Sequence, residues 1–307
     1  MTPIDIVSEI QDSIDDFADA IDPIQKKLYN RVSALLKDLT LDNDGMIKRT
    51  ASNLRIITDV KKELGSVVNN PTYQKHVASI QSSLNDVKSM QEDYFSDILN
   101  VDAAPAALNE IHAQAFDASI DSLTESGIGS NVVDKAADII SGHITNGTSY
   151  ADMNDELRTF MLGDDETEGR LVSYSKQIIN DTLHGFGRNY NSLMTDKLDL
   201  KWYQYVGAIT EDSRPWCREL IKKRWIHASE LPSICAGEID GKPVSLAGLK
   251  PDTNKNNVIG KCGGYNCPHA MIPVSPESVP SKIRRKFEND VEADGDEKLS
   301  SRPKRKK

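Results

Sequence analysis

Across the first hundred residues the apolar positions recur at steps of three and four, the period of amphipathic helices, with hardly an alternating strand pattern among them. Ile6, Ile10, Ile14, Phe17 and Ile21 form one stripe. Asp22-Pro23 then has the form of an N-cap followed by proline at the first helical position, so a second helix is predicted there, with Leu28, Val32, Leu35 and Leu39 on its apolar face. Leu41-Asp-Asn-Asp-Gly45 interrupts it, because Asp and Asn side chains compete for backbone partners and glycine frees the dihedrals. A third helix carries Ile47, Leu54, Ile57 and Leu64, and a fourth, after Asn69-Asn-Pro71, carries Tyr73, Val77, Ile80, Leu84, Val87, Tyr94 and Ile98. Amphipathic helices on short connections predict, for residues 1–105, a bundle that closes on itself or an arm whose stripe docks on a partner.

Val101-Asp-Ala-Ala-Pro-Ala-Ala107 is a small-residue, proline-bearing shift that marks the expected start of a second domain, 106–276. A helix from about 106 to 123 is followed by Ser126-Gly-Ile-Gly-Ser-Asn131, read as a glycine turn before a helix over 132–143. That turn lacks a complete GxGxxG and follows no strand, so it is no phosphate cradle. Asn146-Gly147 ends the helix, and Ser149-Tyr-Ala-Asp152 has the form of a capping box opening the next, through Met161. After the acidic loop 163–168, a long helix to about Lys197 presents Leu171, Tyr174, Ile178, Leu183 and Phe186; His184 among them reads as an ordinary surface or core histidine.

At Lys201-Trp-Tyr-Gln-Tyr-Val206 aromatic and β-branched residues crowd together and a strand is predicted. Asp212 or Ser213 can cap a short helix that has Pro215 near its start, Lys223–His227 is a candidate second strand, 233–260 is loop, and Ala270–Val274 is a final strand. The expected fold class is therefore α+β and predominantly helical, ending in a small cysteine-rich α+β module over 200–276. Beyond it, 277–307 is a charged tail predicted to stay unpacked. Its terminal Arg302, Lys304, Arg305, Lys306 and Lys307 suit a solubilising role, or a contact with DNA phosphates or an acidic protein face.

The formal charge of -10 argues against wholesale coating of nucleic acid, so any DNA contact is expected to be local. No apolar run approaches the roughly 18 residues needed to span a bilayer, and no leader pattern opens the chain, which reads as made in the cytoplasm. Four cysteines in 307 residues are too sparse for a disulfide-built scaffold.

Their placement carries the chemistry. Cys217, Cys262, Cys267 and His269 are donors of the kind zinc prefers, with Cys235 as an alternative ligand. Cys267 and His269, two apart, share one face of an extended strand, and Gly263-Gly264 lets the backbone fold Cys262 back toward them. No CxxC pair is present. Two disulfides, Cys217 with Cys267 and Cys235 with Cys262, are the main rival, and unlinked buried thiols a third reading. A catalytic Cys217, His269 and Asp212 arrangement is the enzymatic alternative. No HExxH, P-loop or GxSxG motif supports another chemistry.

These residues resemble a family. A strand with tryptophan, then Thr210-Glu-Asp212-Ser-Arg214-Pro-Trp-Cys217, a variable loop, and Gly263-Gly264-Tyr-Asn266-Cys267-Pro-His269 leading to a strand resembles the C-terminal part of the head morphogenesis proteins of tailed bacteriophages, the minor head proteins similar to the phage Mu F protein. The specific content lies between Trp202 and Val274. Two departures stand out: Ile179-Asn-Asp-Thr182 replaces the Arg-Thr-Glu signature that many members carry on the long helix, and Pro268 stands where many have arginine. The resemblance singles out Asp212, Arg214, Cys217, Gly264, Asn266, Cys267 and His269, in a structural role. It implies a non-enzymatic, low-copy virion component, associated with the portal protein and the major capsid or scaffold protein, that influences packaging or delivery of phage DNA.

Overall fold

The computed structural model describes residues 2–99 and 107–287. The expected boundary at 101–106 and the basic residues Arg302, Lys304, Arg305, Lys306 and Lys307 lie outside them. The fold is α+β and predominantly helical.

Helix α1 (Pro3–Leu36) runs unbroken through Pro23, where the Asp22-Pro23 pattern predicts a restart. Proline removes one helical hydrogen bond and costs about 3 kcal/mol in a helix interior. Ile10, Ile14, Phe17, Ile21, Ile24, Leu28, Val32 and Leu36 nevertheless form one buried stripe across it. At roughly 1.5–3 kcal/mol for each large apolar side chain buried, that stripe outweighs the proline. Without a restart the register carries through, so Leu36 rather than Leu35 is the buried position.

Asp42 Oδ1 accepts from the backbone of Asp44 and Met46, forming the predicted turn. Ile47 bridges to Leu41 instead of starting a helix. Helix α2 (Ala51–Gly65) opens at Thr50, whose hydroxyl accepts from Asn53 N. Helix α3 (Pro71–Leu99) has proline at its first position, and Asn70 Oδ1 caps it by accepting from Thr72 N and Tyr73 N.

After α4 (Ala107–Leu123), the expected glycine turn is helical instead: α5 (Glu125–Ile128) runs through a π-helical stretch at Gly129–Val133 into α6 (Asp134–Asn146). Gly127 is required for contact, since a Cβ there would lie 1.9 Å from the Ser122 carbonyl oxygen. Gly147, at φ 62, ends α6 as predicted. Ser149 caps α7 (Tyr150–Leu162), accepting from Ala151 N and Asp152 N. Helix α8 (Arg170–Leu198) follows.

The three strands of the main sheet fall where strands are predicted. Between β1 (Trp202–Val206) and β2 (Trp225–His227) lies α9 (Pro215–Lys223), which has Pro215 at its first turn; its N-cap is Arg214, not Asp212 or Ser213. The predicted loop holds only short elements: α10 (Leu231–Cys235), the two-residue strands β3 (Glu238–Ile239) and β4 (Lys242–Pro243), and α11 (Val258–Lys261). Strand β5 (Ala270–Val274) pairs antiparallel with β1, Gln204 opposite Ile272, and the sheet order is β2-β1-β5.

The described residues belong to two compact units whose segments alternate along the chain. One comprises Glu9–Lys88 and Ala106–Phe186; the other comprises Met1–Ser8, Ser89–Pro105 and Gly187–Lys307. The first is helical, with α2 against α6 and α6 against α7, and Lys61 paired to Asp134 at 2.9 Å. The second contains the sheet and its core of Tyr203, Tyr205, Trp216, Leu220, Ile226, Ile234, Val258 and Met271. All five residues of β1 are buried, so it is covered on both faces. Packing also continues past 276, where composition predicts an unpacked tail: Val279, Ile283 and Phe287 lie against Trp202 and Val274, because three apolar residues at four-residue steps give this segment a face to bury.

Candidate metal centre

Cys217 belongs to the first turns of α9, where Pro215 fixes the entry and Trp216 fills the core beneath, its indole N–H donating to the Ile234 carbonyl at 3.2 Å. Cys267 and His269 come from the segment entering β5. Both precede the strand instead of lying on it as the spacing predicts, and their donor atoms nevertheless converge. Cys217, Cys267 and His269 each offer one ligand atom, all within 4.8 Å of one another, and each residue is no more than 1% exposed. The group could hold a metal ion.

Two separations test the fit. With Zn–S near 2.3 Å and Zn–N near 2.0–2.1 Å, the edges of a tetrahedral site are about 3.8 Å between sulfurs and about 3.6 Å between sulfur and nitrogen. Cys217 Sγ lies 3.9 Å from Cys267 Sγ, and Cys267 Sγ lies 3.5 Å from His269 Nδ1. The sulfurs are far beyond the roughly 2.05 Å of a disulfide. All four cysteines are unlinked, so neither expected disulfide pairing is present. A Cβ on Gly263 would sit 2.5 Å from both Cys217 Sγ and Cys267 Sγ, so glycine keeps the space between the sulfurs open.

The remaining expected residues take different places. Cys262 is fully buried beside the group but outside it, its thiol donating to the Tyr205 hydroxyl at 3.5 Å. Cys235, half-buried at the end of α10, packs against the hydrophobic core and is not part of the group. Asp212 is exposed in the loop before α9. Arg214 donates to the Tyr265 carbonyl at 2.8 Å, so it braces the turn between Gly264 and Asn266. Gly264 is at φ 96 and a Cβ there would meet the Gly248 carbonyl oxygen at 2.3 Å, while Asn266 takes the left-handed conformation that asparagine tolerates. His184 is buried on α8, outside the group.

Two residues that sequence reasoning does not single out surround the centre. Arg188, on α8, is 4% exposed and donates through Nη1 to the carbonyls of Cys267, at 2.9 Å, and of His269, at 3.5 Å. The apolar period of α8 gives no hint of it. Tyr205 stacks on His269 with ring centroids 5.6 Å apart, and burial pushes its hydroxyl pKa well up.

The thiols divide by environment. The neighbouring sulfurs, Cys217 first and then Cys262, hold Cys267 well below the usual thiol range, against the opposing effect of burial. Cys217 is raised, first by its hydrogen bond to Cys267 and then by burial; Cys262 is raised mainly by burial.

Compared with known proteins, the chain matches no family, no curated sequence and no solved structure.

Proposed function

We propose that this chain is a non-enzymatic structural component of a tailed-phage head, acting at the portal vertex during capsid assembly and aiding genome packaging or delivery. We further propose that its C-terminal module is closed by a structural zinc ion on Cys217, Cys267 and His269. The observation that carries the reading is the convergence of the motif residues on one closed centre. The segments Asp212–Cys217 and Gly264–His269, in the order that resembles the minor head proteins, meet around a group no more than 1% exposed. A structural site is closed, whereas a catalytic one keeps a position open to substrate. This burial favours the structural role over a metal- or cysteine-dependent enzyme centred on Cys217, Cys267 and His269.

In this reading the partners are the portal protein and the major capsid or scaffold protein, with phage DNA as a local contact of the basic terminus. The site of action is the virion. Co-purification with procapsids and portal protein tests it. Normal particles formed without this protein, together with its recovery only in free form from infected cells, would refute it.

A further inference from the structure

Arg188 is a buried cation, and among the described residues no carboxylate pairs with it: its Nη1 meets only two carbonyls, and its Nε has no partner. A guanidinium stays charged throughout the physiological range, and a buried charge without a counter-charge is strongly unfavourable. The carbonyls it meets belong to Cys267 and His269, so the charge is held against the candidate metal centre itself.

Cys262 is the second unexplained element. It is a non-glycine residue held at φ 44 and ψ -130, a conformation that persists only where its surroundings impose it. It is fully buried, and the glycine after it leaves open the space beside the Cys217 and Cys267 sulfurs.

Resting on the metal reading above, we propose that Cys262, whose sulfur lies outside the Cys217–Cys267–His269 group, moves in on metal binding as the fourth ligand, and that Arg188 is the charge partner of the metal–thiolate group. Charge counting discriminates between the possible ligand sets. A dication with two thiolates, a neutral imidazole and water is neutral overall and leaves Arg188 uncompensated. With three thiolates the group carries one net negative charge, which Arg188 cancels. On ligation each thiol that still carries a proton releases it to solvent. The Tyr205 hydroxyl, now the acceptor from Cys262 at 3.5 Å, becomes a donor to the Cys262 thiolate. No electron transfer is involved. Arg188 and Tyr205 are positioning residues of the outer shell, where such partners hold and orient ligands.

The test uses the full chain, purified under reducing conditions and loaded with zinc or cobalt(II) alone. X-ray absorption at the zinc edge is expected to report three sulfurs and one nitrogen. Two sulfurs with two light atoms overturn the Cys262 assignment and leave the metal reading standing; failure to bind about one ion per chain overturns both. In the cobalt form, Cys262→Ser is expected to lose about one third of the thiolate-to-metal absorption per bound ion, three thiolates becoming two. An unchanged intensity refutes the assignment. Arg188→Met is expected to weaken metal affinity roughly 10- to 100-fold, with Arg188→Lys recovering most of it. Equal affinity of Arg188→Met and wild type, or a Lys variant as weak as the Met variant, overturns the charge role. Should a variant fold poorly, the wild-type absorption spectrum still decides the ligand count.

Discussion

The Arg188 guanidinium donates to the carbonyl of Cys267 at 2.9 Å, tying the second half of α8 to the backbone between two candidate metal ligands. A helix that shows only an apolar period in sequence thus holds the segment on which the centre depends.

Gly263→Ala should damage the centre without touching a ligand. Its Cβ would lie 2.5 Å from two sulfurs, closer than any relaxed contact. Overpacking of this kind costs about 1–3 kcal/mol. Loss of bound metal by elemental analysis, with a lower thermal midpoint, is the expected result; full metal content would show that the sulfurs can spread.

Removal of metal should loosen one region selectively. If the ion is structural, a chelator under reducing conditions raises amide hydrogen exchange across 202–274, and added zinc restores protection. The helices α2, α6 and α7 should keep their exchange rates. A uniform change throughout the chain would contradict this.

Trp216 is fully buried, and its indole N–H donates to the Ile234 carbonyl. Trp216→Ala should cost about 3–5 kcal/mol, from the cavity and the stranded carbonyl. Urea unfolding measures it. A loss below about 1 kcal/mol would mean that α9 repacks.

Alkaline pH should weaken the sheet-bearing unit through its tyrosines. Burial pushes Tyr203 up to about 12, and Tyr94, whose hydroxyl donates to the Pro273 carbonyl at 2.8 Å, is also raised by burial. A hydroxyl with a raised folded pKa contributes stability that is fully present below its unfolded value, about 10, and is lost as pH rises through the folded value. Unfolding midpoints should therefore fall between about pH 10 and pH 12, and Tyr203→Phe should flatten that slope. An unchanged slope would place the alkaline loss elsewhere.

The Phe287 ring packs edge-on against Trp202, with centroids 5.2 Å apart, and lies 4.9 Å from His227. Phe287→Ala should cost about 1 kcal/mol and shift tryptophan fluorescence to longer wavelength as Trp202 gains water. Unaltered emission would show that the segment 279–287 contributes no cover.

Local order in the chain was largely legible. The first strand of the main sheet follows from crowded aromatic and β-branched residues, and the end of α6 and the start of α7 from Gly147 and Ser149, because these signals act over a few residues. The closeness of Cys267 and His269 was legible from their two-residue spacing, although both stand just before β5 and not on it. Where local rules failed, burial had outweighed them: Pro23 lies inside a helix because the apolar stripe continues past it, and Gly127 marks close packing instead of a turn.

By itself the sequence determined the fold class, the strands of the main sheet and the residue types capable of binding a metal, all set by period, propensity and donor chemistry. Only the tertiary structure decided that Cys217 joins Cys267 and His269 across fifty residues, that Cys235 does not, and that Arg188 lies buried behind them. Those relations come from long-range packing, in which each side chain's partner is set by elements distant in the chain, and no local pattern encodes them.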